Sequence, residues 1–390
     1  MLISRVLRRA GSISILILAA AAASLSAREP RQIRESGGAF VGSVGCKSSS
    51  CHGGAGPKRN QYITWSQKDF HTKAYAVLLN SRSERIAESL GIPAAQTSAR
   101  CTVCHSPSQS VAPKRLTATA HPDEGVSCEN CHGAASGWLR GHMRPDWTYA
   151  TRVAAGMRDL RGPYLRATAC VACHQNLAPE LLKAGHPDLF FELDGQSIAE
   201  PKHWKDDDSW NGLREWLTGQ AVALREMSWA LASDPQSDEA SNARWNGLAW
   251  ICATTSSAGG SWPQVSQPSA APGTPDFNRA RSEADALARR ASVSNWNETS
   301  ARTLMLVLTS AEGEFLRNEV AKPILAQRAK RLVLALDRLA YALNKNRGWR
   351  LKVDPELNLL FKDVRVLDTF EANAFSAHLR SFREALDKSG

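Results

Sequence analysis

Three times in this chain two cysteines stand three positions apart with a histidine directly after the second. The copies are Cys101-Thr102-Val103-Cys104-His105, Cys128-Glu129-Asn130-Cys131-His132 and Cys170-Val171-Ala172-Cys173-His174. With nine Cys and ten His in 390 residues, chance predicts on the order of 0.005 such copies. C-x-x-C-H is the attachment pattern of a c-type haem: the thiols add across two vinyl groups and the histidine is already aimed at the iron. A widened version stands at Cys46-Lys47-Ser48-Ser49-Ser50-Cys51-His52. To bridge the same two vinyl groups, Lys47 to Ser50 must bulge outward. A disulfide between Cys46 and Cys51 is the other reading of that pair. The motifs predict four covalent haems, attached through Cys46, Cys51, Cys101, Cys104, Cys128, Cys131, Cys170 and Cys173. Their proximal ligands are His52, His105, His132 and His174.

Attachment of this kind happens outside the bacterial cytoplasmic membrane, and the chain begins accordingly. Arg5, Arg8 and Arg9 precede an apolar run from Ile13 to Leu25, and the small residues Ser24, Ser26 and Ala27 offer a cleavage site before Arg28. Residues 1–27 therefore read as a signal peptide and the mature protein as periplasmic. The alternative is an uncleaved anchor, for which the run is short, since a span needs roughly 20 residues. No later stretch is long enough, so no stable span is expected after signal removal. Three of the ten net positive charges sit in the signal, and each ferric haem adds roughly one negative charge. The remaining basicity is modest and lacks interleaved aromatics, which argues against nucleic acid.

Residues 28–45 are polar and Gly-rich and read as a flexible lead-in. From 46 to 204 the chain is poor in large apolar residues and weak in periodicity, and it should not fold unaided. Four haem plates would supply the missing core at about 40 residues each, a domain with little regular structure wrapped on stacked haems. From 205 to 390 the character changes. Apolar residues recur at helical spacing over Leu213–Leu231, Leu304–Phe315, Leu325–Leu343 and Phe375–Leu386, with Pro323 suited to a first helical turn. A Ser/Gly/Pro-rich stretch at about 254–275 reads as a disordered loop. The fold class is mostly α, a multihaem domain followed by a helical bundle or cover.

The second ligand of each iron decides between electron transfer and small-molecule chemistry. His71 shares a helical face with Ala74, Tyr75 and Leu78. His142 closes Trp138-Leu139-Arg140-Gly141-His142, His186 sits in Gly185-His186-Pro187, and His121 in Ala120-His121-Pro122. These four are the distal candidates. His203, between Lys202 and Trp204, reads more as a junction hydrogen-bonder, and His378 as core packing.

The Trp65…His71 segment, the run Gly125-Val126-Ser127-Cys128-Glu129-Asn130-Cys131-His132-Gly133, His142 and Gly185-His186-Pro187 resemble the cytochrome c-554 family over roughly residues 44–205. The resemblance implies a mostly helical fold with near-parallel haem pairs. It also implies His71 opposite His132 and His142 opposite His52, leaving His121 and His186 for His105 and His174 in open order. The namesake has one five-coordinate haem, whereas here four distal candidates serve four irons. Some longer relatives carry a further motif after a Trp-rich segment. Cys252 in Trp245-Asn246-Gly247-Leu248-Ala249-Trp250-Ile251-Cys252 is either a remnant of such a site or a buried lone thiol.

Two functions follow. The first is an exported electron carrier without catalytic residues, relaying electrons between redox partner proteins, with a membrane quinone-linked complex among the candidates. The second is a multihaem redox enzyme acting on a small nitrogen or sulfur compound at one five-coordinate haem.

Overall fold

The computed structural model describes residues 37–205, 209–234, 238–269, 271–346 and 351–389. Residues 1–36, which include the expected signal peptide and the first part of the expected lead-in, lie outside them. Among the described residues the protein is mostly α-helical and has no strand, only an isolated bridge between Phe40 and Leu116. No helix among them is long and apolar enough to cross a membrane.

The four predicted stripes become the helices Asn211–Ser233, Glu298–Thr309, Lys322–Asn346 and Ala372–Lys388. The second ends earlier than its apolar pattern. Phe315 lies in the following turn, Glu312–Leu316, yet is fully buried against Trp250 and Phe375. Three further helices, Glu239–Ala258, Thr274–Ala291 and Asp354–Asp363, were not anticipated, although Thr274–Ala291 has a stripe of mostly small residues, Phe277, Ala280, Ala284, Leu287 and Ala291. Glu239–Ala258 is buried nearly all round, including Trp245, Asn246, Gly247, Trp250 and Cys252. A helix covered on every side has no polar face against which a period of 3.6 could show. Gly247 is what allows that close fit, because a Cβ there would meet the Gln327 backbone at 3.0 Å.

Two expectations need correction. The stretch 254–275 is not a disordered loop: its first five residues complete the Glu239–Ala258 helix, and Thr274 opens the next. The connection between them is pinned, with Val265 buried, its N–H donating to Ser256 Oγ at 3.1 Å, and Trp262 tilted against Trp296. The lead-in is likewise tied down from 37 onward. Phe40 is buried and exchanges backbone hydrogen bonds with Arg115 and Thr117 at 2.7 and 2.9 Å. Polar, Gly-rich composition misled in both places, because it averages over a segment that a few buried side chains and backbone hydrogen bonds are enough to hold.

In the first half the helices are short, and three of them carry the motifs: Ala99–His105, Cys128–His132 and Pro163–His174. The halves pack as one body. Pro163–His174 places Ala167 and Val171 in the same buried cluster as Leu217, Leu224, Leu332 and Leu336. Just past His174, Gln175 Nε2 donates to the Ala223 carbonyl at 2.7 Å and Asn176 Nδ2 to the Glu226 carbonyl at 2.9 Å. The compositional boundary near 204 is therefore not a boundary of packing.

Candidate functional site

On a helix, positions i, i+3 and i+4 share a face. Both thiols and the histidine of each regular motif thus face one way. The third motif shows how its flanks hold that geometry. Ser127 and Asn130 form a capping box before Cys128, with the Ser127 N–H donating to Asn130 Oδ1 at 2.7 Å. Arg158 closes the other end on the Asn130 and Cys131 carbonyls, a cation where a helix C-terminus favours one. Glu129, between the cysteines, is buried and its carboxylate accepts from the backbone N–H groups of Val41, Gly42 and Ala135 at 3.0, 2.7 and 2.7 Å. Burial pushes its carboxyl up, the three N–H bonds only partly offset this, and the net shift is upward. Glu129 is thus what anchors the lead-in, a role the motif spacing alone does not reveal.

The Gly125-Val126 run docks directly on the Trp65…His71 segment. Val126 N–H donates to the His71 carbonyl at 3.0 Å, and Trp65 Nε1 donates to the Val126 carbonyl at 3.0 Å. Gly125 has φ +73°, and a Cβ there would lie 2.5 Å from the His71 carbonyl oxygen. Gly125→Ala is expected to cost about 1–3 kcal/mol for the backbone conformation alone, and it should displace His71. A denaturation midpoint within error of the parent would show that this approach is dispensable.

In the first motif Lys47 to Ser50 are exposed. The loop is closed by Cys51 N–H on the Ser48 carbonyl at 2.9 Å and His52 N–H on the Cys46 carbonyl at 3.3 Å. Gly53 lets the chain fold back, since a Cβ there would overlap the Lys47 carbonyl oxygen. Cys46 and Cys51 do not form a disulfide, and the Cys46 thiol meets Cys128 instead. Similarly Cys104 meets Cys173. The thiols of motifs one and three lie together, as do those of motifs two and four.

Four pairs of imidazole rings lie at nearly one spacing, one pair with near-parallel planes and three with steeply inclined ones. His52 and His142 are 6.0 Å apart between ring centroids, His71 and His174 5.9 Å, His105 and His186 6.3 Å, and His132 and His203 6.2 Å. Two metal–nitrogen bonds of roughly 2 Å each, plus half a ring on either side, need about that distance. Each pair joins one motif histidine to one from elsewhere in the chain.

Most of these rings are oriented through Nδ1, which leaves Nε2 free. His52 Nδ1 donates to Gln61 Oε1 at 3.0 Å, His105 to the Ala74 carbonyl at 3.0 Å, His142 to the Leu139 carbonyl at 2.6 Å and His186 to the Pro187 carbonyl at 2.8 Å. His71 Nδ1 donates to Asp69 Oδ1 at 3.0 Å. Such second bonds fix the tautomer and plane of a metal-binding imidazole. Burial, with neighbouring imidazoles adding to it, pushes His132 and His174 down to about 4, so both are neutral at physiological pH, the form that ligates iron.

Measured against the sequence reading, the His52–His142 pair is as the resemblance implies. His186 faces His105, one of the two orders left open. Two placements differ: His71 faces His174 rather than His132, and His132 faces His203, the residue read as a junction hydrogen-bonder. His121 is exposed ahead of the Pro122–Glu124 turn and stands outside all four pairs, lining a surface cavity of about 330 Å³ with Tyr62, Trp65, Asp123 and Glu124. His378 donates to Asp363 at 2.7 Å, well within the helical half. Cys252 is fully buried, and burial pushes its thiol up to about 12.

Residues 45–133 match the family model described as cytochrome c554 and c-prime. Over that segment, under a quarter of its length, the chain is similar to the cytochrome c554 family. The family is one of c-type cytochromes in electron transfer, with covalently bound c-type haem, and the matched stretch ends directly after the third motif. No curated protein and no solved structure matches the chain. The ring pairs fit the group that the family carries, because each sets two imidazoles across one metal-sized gap, with attachment thiols beside the motif histidine. The cytochrome c554 segment supplies His52, His71, His105 and His132. His142, His174, His186 and His203 come from beyond it.

Proposed function

We propose that this chain is an exported tetrahaem c-type cytochrome that relays single electrons between periplasmic or membrane-bound redox partners. Every iron is held by two histidines: His52 with His142, His105 with His186, His132 with His203, and His71 with His174. The observation that carries this is the four ring pairs of equal spacing, each built from one motif histidine and one distant histidine.

A bound haem supplies a one-electron couple at the iron, and bis-histidine ligation suits it to transfer rather than substrate binding. The protein's own contribution is fixed geometry. Nδ1 bonds to Gln61, Asp69 and backbone carbonyls keep the imidazole planes in place, so little has to reorganise when an electron arrives. The thiol contacts Cys46–Cys128 and Cys104–Cys173 bring the motifs together in two pairs, and Cys131 of the third motif is near enough to act electrostatically on Cys170 of the fourth. On this reading the path runs first, third, fourth, second. A ligand set that closes every iron favours the carrier over the enzyme.

The test is a ferric spectrum with haem stoichiometry by pyridine haemochrome and intact mass. Four haems and wholly low-spin iron, unchanged by cyanide, are expected. A sizeable high-spin fraction would overturn the relay and favour the enzyme. Three haems would mean that Cys46 and Cys51 attach nothing.

A further inference from the structure

The four ring pairs are not electrostatically equivalent. Among the described residues Asp69 is the one carboxylate that accepts a hydrogen bond from a ring nitrogen of the eight paired histidines. The acceptors on His52, His105, His142 and His186 are a neutral amide and backbone carbonyls. Asp69 is buried, and it holds His71 twice, accepting from the backbone N–H at 2.9 Å and from Nδ1 at 3.0 Å. Glu200 adds a second carboxylate: ligand atoms of Asp69, His71 and Glu200 all lie within 4.8 Å of one another. Arg166, a cation that acts on Glu200, is already paired with Glu215. A carboxylate on Nδ1 makes an imidazole more basic. A fixed negative charge in a low dielectric favours the oxidised, more positive iron.

We infer that the iron between His71 and His174 has the lowest reduction potential of the four, set by the Asp69 carboxylate on the His71 ring. Asp69 is a positioning and tuning residue, and it touches no haem edge by this argument. The inference rests on the tetrahaem reading above. Along the path of the motifs this iron is interior, between those of the third and second motifs. Electrons therefore cross an uphill step inside the relay, and the centres on either side fill first.

The experiment is a redox titration of the holoprotein, followed optically and by low-temperature electron paramagnetic resonance. Asn at 69 keeps an acceptor for Nδ1 and removes only the charge. Asp69→Asn is expected to move the lowest of the four potentials upward and leave the other three in place. Four unchanged potentials, or movement of one that is not the lowest, would overturn the inference. Gln61→Glu puts a carboxylate on His52 and should move one of the other potentials downward. If Asp69→Asn fails to mature with four haems, that variant decides alone: a downward shift supports the tuning and no shift overturns it. Failure of the underlying reading is separate, because it shows in the unvaried protein as fewer than four haems or as high-spin iron.

Discussion

Replacing His203 by Ala is expected to leave one of four irons without its second imidazole, turning about a quarter of the ferric haem high-spin. The iron concerned is that of the third motif, whose His132 lies 6.2 Å from His203 between ring centroids. His121→Ala is expected to leave all four low-spin, because His121 stands outside the ring pairs and is exposed. Electron paramagnetic resonance of the two variants beside the parent separates the cases. High-spin iron in His121→Ala with none in His203→Ala would restore the ligand set that spacing suggests and would refute the paired geometry. His203→Met gives a finer reading. A thioether in place of an imidazole should keep that iron low-spin and raise its potential, since His/Met ligation favours the reduced state.

What could be read from the sequence, and what could not, follows from the range of each interaction. The C-x-x-C-H motifs are local, so attachment cysteines and proximal histidines stand out by spacing alone. Distal ligands are not local: His132 and His203 are joined only by the path of the chain between them. His203 has no glycine or proline directly beside it, only Pro201 two residues earlier, and lies in irregular chain at the edge of the helical half, so its neighbours did not mark it. His121 carried a turn signal in Ala120-His121-Pro122, but that signal describes the backbone and not what faces the ring. In the helical half the amphipathic stripes at Leu213–Leu231 and Leu325–Leu343 were legible because one face meets water. The Glu239–Ala258 helix was not, because between its exposed ends almost no face of it does.

The helical half has a mechanical role that the motifs do not reveal, and Arg225 tests it. Its guanidinium is 3% exposed and sits where three helices meet. It donates to Tyr164 Oη at 2.9 Å and Thr168 Oγ1 at 3.1 Å on the fourth-motif helix, to Asp285 Oδ1 at 2.9 Å on Thr274–Ala291, and to its neighbour Glu226 at 2.8 Å. Arg225→Met removes the cation and strands the buried Glu226 carboxylate, which should cost roughly 3–5 kcal/mol. Arg225→Lys should recover only part of that, since an ammonium cannot span the fork. Because Tyr164 and Thr168 lie on the helix that ends in His174, the methionine variant should also broaden the spectrum of the His71–His174 iron. Urea midpoints together with that spectrum check both effects; a loss below about 1 kcal/mol would show that the clamp does not hold the helix. The network has a pH signature as well. Burial would raise Asp285, but the bonds from Tyr164, Arg225 and Arg289 outweigh it and hold the carboxyl down at about 2. A depressed carboxylate stabilises the fold above its ordinary value of 3.8 and loses that contribution as pH falls toward 2. Asp285 is about one third exposed, so solvent screening keeps this contribution modest. Asp285→Asn should therefore flatten the acid limb of the stability profile between about pH 4 and pH 2, and leave the profile above it unchanged in shape.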